Sequence, residues 1–230
     1  MTAFQRFRQI ALAIILTWGW KRALLAMACG ALSVLALAPF NIFPVLFITF
    51  PVMVWLIDGA GAGRYGGVPA AALTGFWFGL GYFVPGLYWI GIAFFVDADV
   101  FAWLTPFAVL GLPAYLSIFT AIGFALARLL WTKDATRILA LAASLTVSEW
   151  LRGHVLTGFP WNAFGYALAG EIHLAQSLAL FGLPGLTLVA VAVLASPATL
   201  ADDPALGRWS RRACRHPQST SRRFSRPRKQ

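Results

Sequence analysis

Val100-Phe-Ala-Trp-Leu-Thr-Pro-Phe-Ala-Val-Leu-Gly-Leu-Pro-Ala-Tyr-Leu-Ser-Ile-Phe-Thr-Ala-Ile-Gly-Phe-Ala-Leu-Ala127 contains no charged side chain. An α-helix needs about 20 apolar residues to cross the hydrocarbon of a bilayer, and this stretch exceeds that length. So do Tyr65–Val96 and Leu174–Ala201, which are likewise uncharged. Hydrophobic residues make up 60% of the chain and charged ones 11%, far from the balance of a soluble globular domain. Period-2 alternation is scarce, which argues against a β-barrel. The expected fold is therefore an all-α integral membrane protein: a bundle of about six transmembrane helices behind a short N-terminal interfacial helix.

Outward from that stretch, the apolar segments divide as follows. Ile10–Trp20 is too short to span alone and lies between Arg6/Arg8 and Lys21-Arg22. It reads as an interfacial helix with Trp18 and Trp20 at headgroup level. Spans are expected at Ala23–Ala38, at Phe43–Ile57, and at Val68–Val96 with a kink at Pro85-Gly86. Further spans are expected within Val100–Leu130, with Pro106 and Pro113 as kinks or loop residues, from Ile138 onward, and from Leu174 to Ala195. The organisation is an N-terminal segment 1–22, a transmembrane domain 23–200 and a basic, disordered tail 201–230. Gly75-Phe-Trp-Phe-Gly79 has the small-xxx-small spacing that lets helices approach closely.

The net charge of +10 is unevenly placed, because residues 201–230 hold nine Lys/Arg against two Asp. Outside that tail nothing supports a nucleic-acid partner. With six spans, Arg6, Arg8, Lys21, Arg22, Arg64, Arg128, Lys133, Arg137 and the tail share one side, which places both termini in the cytoplasm. Asn41, Asp97, Asp99 and the Thr157–Glu171 loop fall on the other side. Cys29 sits in an apolar segment and Cys214 in the tail, so no disulfide is expected. No metal-ligand spacing is present, and neither a metal nor a cofactor is expected.

The exception to the uncharged interior is Glu149-Trp-Leu-Arg152, followed by Thr157-Gly-Phe-Pro-Trp161. Charges at such depth are costly and by default mark function. Glu149 and Arg152, at i and i+3, are neighbours on one helix face. Two readings stand: they hold a lipid or lipoprotein headgroup, or they satisfy each other and fix the helix end. The Gly-Phe-Pro run cannot continue a regular helix and leaves Trp161 near a membrane surface, as an anchor or as part of a substrate gate. His154 and His173 read as polar residues at helix ends, and Asp97 and Asp99 as terminators.

Leu37-Ala-Pro-Phe40, Gly75-Phe-Trp-Phe-Gly-Leu-Gly81, Gly86-Leu-Tyr-Trp-Ile90 and the Glu149–Trp161 block, in this order, resemble the N-terminal membrane region of bacterial apolipoprotein N-acyltransferases over roughly residues 23–200. The resemblance implies an inner-membrane enzyme of lipoprotein maturation. Its partners are a phospholipid acyl donor, the diacylglyceryl apolipoprotein that receives the chain, and membrane lipids. It also implies a nitrilase-like domain with a Glu-Lys-Cys triad, joined to the membrane helices. The segment after the sixth span, Gly207-Arg-Trp-Ser-Arg-Arg-Ala213 onward, departs from that pattern. The expectation is a truncated or frame-shifted relative, inactive alone. Glu149, Arg152, Phe159, Pro160 and Trp161 are the expected substrate-binding residues, with no catalytic residue assigned. The alternative is a non-enzymatic transporter or lipid-binding scaffold.

Overall fold

The computed structural model describes residues 2–62, 67–96, 98–156 and 158–202. Arg64, Asp97, Cys214 and the tail beyond Asp202 lie outside the described residues. The described chain is helical, with no strand. Its helices are α1 (Ala3–Ile15), α2 (Trp20–Ser33), α3 (Leu46–Asp58), α4 (Val68–Gly86), α5 (Trp89–Ala93), α6 (Ala98–Phe101), α7 (Thr105–Leu129), α8 (Thr136–His154), α9 (Tyr166–Ala169), α10 (Ile172–Ala175) and α11 (Leu178–Ala195). Short 3₁₀ turns extend several of them.

Among the described residues, Phe43–Gly61, Val68–Gly86, Ala102–Leu129 and Leu178–Ala201 are long and apolar enough to cross a membrane, and α1 with α2 makes a fifth if that bent pair is one span. The expected fifth span, α8, has the length at 19 residues. Arg137, Glu149 and Arg152 keep it out of that apolar set, and it packs along α7 and α11. The all-α membrane bundle is as expected, with α8 as its charged member.

The N-terminal helix differs in its bounds. It covers Ala3–Ile15 instead of Ile10–Trp20, because Thr2 and Gln5 form a reciprocal capping box (Gln5 N–H to Thr2 Oγ1, 3.3 Å; Thr2 N–H to Gln5 Oε1, 2.9 Å). The chain then turns through Gly19, whose φ of 63° suits glycine, and α2 sets off at 118° to α1. Lys21 and Arg22 thus open α2 instead of preceding it. The third span ends at Gly86 and resumes as α5, so the expected Pro85-Gly86 kink is a break. Pro106 lies in the first turn of α7, and Pro113 inside it. The last helix begins at Leu178 instead of Leu174. It is itself broken at Gly182 (φ 65°, ψ 178°), just before Pro184.

Helix α3 is the hub. Every residue from Thr49 to Ile57 is buried, as expected of a helix apolar all round. Around it pack α1, α2, α11 and the turn Ser196–Ala201. The Phe7 ring meets Trp55 edge-on at 5.3 Å, and the Trp55 indole N–H donates to Ala198 O at 3.3 Å. Large apolar side chains such as Ile48, Leu110, Ile118, Leu139 and Val193 point outward, the surface a bilayer would cover.

The Gly75/Gly79 pair performs as its spacing predicts. A Cβ on Gly75 would stand 2.7 Å from Thr120 O, and one on Gly79 3.0 Å from Ser117 Cα, so α4 lies directly on α7. On α4's other side, Gly81 would meet Met27 O at 2.0 Å and Gly30 of α2 would meet Phe78 O at 2.1 Å. These contacts involve backbone, which cannot swing aside. Gly81→Ala is expected to destabilise the chain by roughly 1–3 kcal/mol, the usual cost of overpacking. Gly111→Ala, with nothing within 4 Å, should gain up to about 1 kcal/mol of helix propensity. Thermal unfolding of the detergent-solubilised chain measures both, and equal shifts would refute this packing.

Candidate functional site

Helix α8 ends at His154, and Gly158 and Pro160 follow within two turns and bar its continuation. The chain leaves with Val155 extended (φ −74°, ψ 136°) and Leu156 at φ 57°. Gly158 then adopts φ 73°, and a Cβ there would strike Gly153 O at 2.3 Å. The loop folds back on the helix it left: Phe159 N–H donates to Arg152 O at 2.9 Å, and Gly158 N–H to Val155 O at 3.0 Å.

Arg152, 2% exposed, holds the next turn of the loop. Its Nη1 donates to Phe159 O at 3.1 Å and to Trp161 O at 2.5 Å. Its guanidinium carbon sits 5.1 Å from the Phe83 ring centroid, a cation–π contact from α4. Glu149 lies 3.6 Å from Arg152 Nη2 and takes the loop's far side. Oε1 accepts from Phe164 N–H at 2.9 Å, and Oε2 accepts from the Thr187 hydroxyl at 2.8 Å. Thr187 Oγ1 in turn accepts from Gly165 N–H at 3.1 Å. Two carbonyls and two amide N–H groups of a non-helical segment are therefore served by one buried ion pair and one hydroxyl.

Phe164 then plugs the core between Phe50 (5.4 Å), Phe78 (6.2 Å) and Tyr82 (5.1 Å). Phe159 is half-buried against the same cluster. Pro160 and Trp161 are exposed. Trp161 shows 57% of its surface and meets Trp89 edge-on, ring to ring at 6.1 Å. Gly86 leaves room for Asn162, since a Cβ there would stand 2.4 Å from Asn162 Nδ2. A shallow apolar hollow of about 260 Å³, lined by Ala93, Phe94 and Phe101, follows α5 in the chain.

The five sequence-predicted residues thus share one structural unit but divide in role. Glu149 and Arg152 are turned inward and occupied, while Pro160 and Trp161 face out and Phe159 links the two. His154 is exposed, stacked on Trp150 at 4.4 Å, with Nδ1 2.7 Å from Trp150 O. Sequence reasoning missed Thr187, Phe164, Asn162 and Phe83, which lie 15 to 76 positions from the motif residues they touch and carry no local signal. The Gly86 position within Gly86-Leu-Tyr-Trp-Ile90 was the one available hint.

Removing the cation should be worse than neutralising the acid. Arg152→Met strands a buried carboxylate and two loop carbonyls, and is expected to cost about 3–5 kcal/mol. Glu149→Gln keeps an acceptor oxygen for Phe164 N–H and should cost less. Urea or thermal unfolding in detergent, followed by intrinsic tryptophan fluorescence, checks the order.

The comparisons with known proteins agree on one family. The model of the apolipoprotein N-acyltransferase N-terminal domain matches residues 29–196. An apolipoprotein N-acyltransferase of Bradyrhizobium diazoefficiens is 83% identical over 202 residues, which are 88% of this chain and 38% of that protein. One of Rhodopseudomonas palustris is 69% identical over 194 residues (84% and 36%), and one of Brucella suis is 52% identical over 196 (84% and 37%). The chain spans a little over a third of the length of the curated relatives it matches.

Proposed function

The chain belongs to the apolipoprotein N-acyltransferase family, and from that premise we propose that it is the membrane-embedded part of such an enzyme. In this reading an acyl chain leaves a phospholipid ester and ends as an amide on the α-amino group of a diacylglyceryl-cysteine. The membrane helices admit and orient the lipid substrates beside the chemistry carried by the rest of the enzyme. The observation that carries this reading is the loop Gly158–Phe164, which presents an exposed Trp161 on a backbone that two buried charges hold rigid.

Glu149 and Arg152 act here as positioning residues. Arg152 Nη1 and both Glu149 oxygens are engaged by the loop and Thr187, and Arg152 Nη2 is buried beside Glu149, so the substrate-facing groups are Trp161, Pro160 and the accessible part of Phe159. An indole at an interface offers an apolar face to acyl chains and an N–H to headgroups. Trp89 braces it, and the Ala93/Phe94/Phe101 hollow offers further apolar lining nearby in sequence. The basic residues Arg22, Arg128, Lys133 and Arg137 belong to the opposite end of the bundle. With positive charge retained on the cytoplasmic side, the Trp161 loop faces the periplasm, and both termini face the cytoplasm of a bacterial inner membrane.

A graft tests this. Residues 29–196 would replace the matching segment of the Bradyrhizobium diazoefficiens relative, with N-acylation of a diacylglyceryl peptide in proteoliposomes followed by mass spectrometry. The graft is expected to be active. Trp161→Ala within it should lower kcat/KM by roughly tenfold, about 1.4 kcal/mol, while Leu188→Ala on the outer surface should not. A graft that inserts and folds yet transfers no acyl chain would sink the proposal.

A further inference from the structure

At the other end of α8, about 22 Å along its axis from Arg152, lies a second polar cluster that the acyl-transfer reading does not use. Arg137, 3% exposed, lays its two terminal guanidinium nitrogens on Asp202 (Nη1–Oδ2 3.0 Å, Nη2–Oδ1 2.7 Å), and its Nε lies 3.6 Å from Asp58 Oδ2. The Trp131 indole N–H donates to Asp58 Oδ1 at 2.8 Å. Both carboxylates are thereby engaged by partners within the fold. Asp134, close by in sequence, accepts from the Thr136 hydroxyl and amide, and hydrogen bonds from Thr136 and then Thr132 hold its carboxyl below the usual range.

Beside this group opens a hollow of about 340 Å³, which Arg128, Trp131, Thr132 and Lys133 line together with Arg137 and its two aspartates. Unlike Arg137, the cations Arg128 and Lys133 have no carboxylate within ion-pair distance among the described residues. Arg128 makes one long bond, Nη1 to Ile57 O at 3.5 Å. Arg22 comes up from α2, with Nε donating to Thr74 Oγ1 at 2.9 Å and Nη2 buried without a partner. It lies close enough to Arg128 for the two charges to interact.

Arg22 and Arg128 are half-buried like charges that oppose folding, Lys133 adds an exposed third, and Asp58, the acid that Arg128 feels, is already shared with Arg137. Lysine and arginine at a surface often serve only to snorkel, but these line a concavity whose acids are already taken. The complement to that arrangement is a compact oxyanion that accepts from a guanidinium fork and an ammonium at once. Phosphate esters occupy the headgroup layer at the ends of membrane helices, where basic side chains meet them.

We propose that this hollow binds one phosphate group, with Arg128 and Lys133 as its direct ligands and Arg22 adding charge from behind. The Arg137–Asp58–Asp202 cluster holds α3, α8 and the segment after α11 together, and so shapes the hollow. The site is independent of the acyl-transfer reading, because it shares no residue with the Trp161 loop.

The test uses the full 230-residue chain in dodecyl maltoside, with native mass spectrometry to count bound lipid and thermal unfolding to report stabilisation. The probes are dioleoylphosphatidylglycerol, dioleoylglycerol and inorganic phosphate. One saturable copy of the phosphatidylglycerol is expected, with dioleoylglycerol not retained. Arg128→Gln and Lys133→Gln should each weaken retention by about tenfold, and Lys21→Gln, a neighbouring exposed cation, should leave it unchanged. Stabilisation by inorganic phosphate alone, lost in the same variants, would assign the site to free phosphate. Stabilisation by the phospholipid only would assign it to a headgroup. Should Arg128→Gln fail to fold, Lys133→Gln carries the test, since Lys133 is exposed and, among the described residues, no hydrogen bond or ion pair ties it to the fold. Equal loss in Lys21→Gln, unchanged binding in both site variants, or retention of dioleoylglycerol as strong as that of the phospholipid would each overturn the proposal.

Discussion

Hydrocarbon offers no hydrogen-bond partners, so every backbone amide and carbonyl that leaves a helix inside the bundle must be served by the protein itself. In this chain the requirement falls hardest on the segment after α8. Gly158 and Pro160 forbid helix there, yet Phe164 must still reach the centre of the bundle. Arg152 answers the carbonyls of Phe159 and Trp161, and Glu149 answers the amide of Phe164 and, through Thr187, that of Gly165. The ion pair is therefore less a bond between two side chains than a replacement for the missing turn of helix. Because Thr187 belongs to α11 and Phe83 to α4, the same pair ties three helices to the loop.

That loop could not be held so closely if the helices around it stood at ordinary separation. Gly30, Gly75, Gly79 and Gly81 bring α2, α4 and α7 into backbone contact, where any added carbon would fall within about 3 Å of a neighbour. Close approach places Phe78 and Tyr82 of α4 around Phe164, and sets Phe83 against Arg152. In a bilayer the gain comes from packing and not from expulsion of water, so these glycines matter more here than their count in a soluble core would imply.

The two ends of α8 solve the problem of charge in opposite ways. At one end Glu149 and Arg152 turn inward to the loop backbone and Thr187, and Trp161 is exposed outside. At the other, Arg137 neutralises two aspartates, and among the described residues Arg128 and Lys133 line a hollow beyond ion-pair distance of any carboxylate, with Arg22 near Arg128. A single helix thus separates a loop with an exposed tryptophan from a basic surface.

The sequence by itself determined the class of the molecule. Uncharged stretches longer than a bilayer require membrane helices, proline and glycine mark where those helices stop, and Gly75/Gly79 announce a close pair. The Glu149–Trp161 motif was legible too, because charge and helix breakers are conspicuous against an apolar background. The Thr2/Gln5 cap was equally local but went unread, which shifted the first helix. What only the tertiary structure decided was direction: that Glu149 and Arg152 face inward and hold the loop, that Trp161 faces out, and that Thr187, Phe83 and Phe164 complete the unit. Periodicity in a helix that is apolar on every side carries no information about which neighbour each face meets. In such a chain, close packing and the demand for hydrogen-bond partners settle the arrangement, and both arise only when distant segments come together.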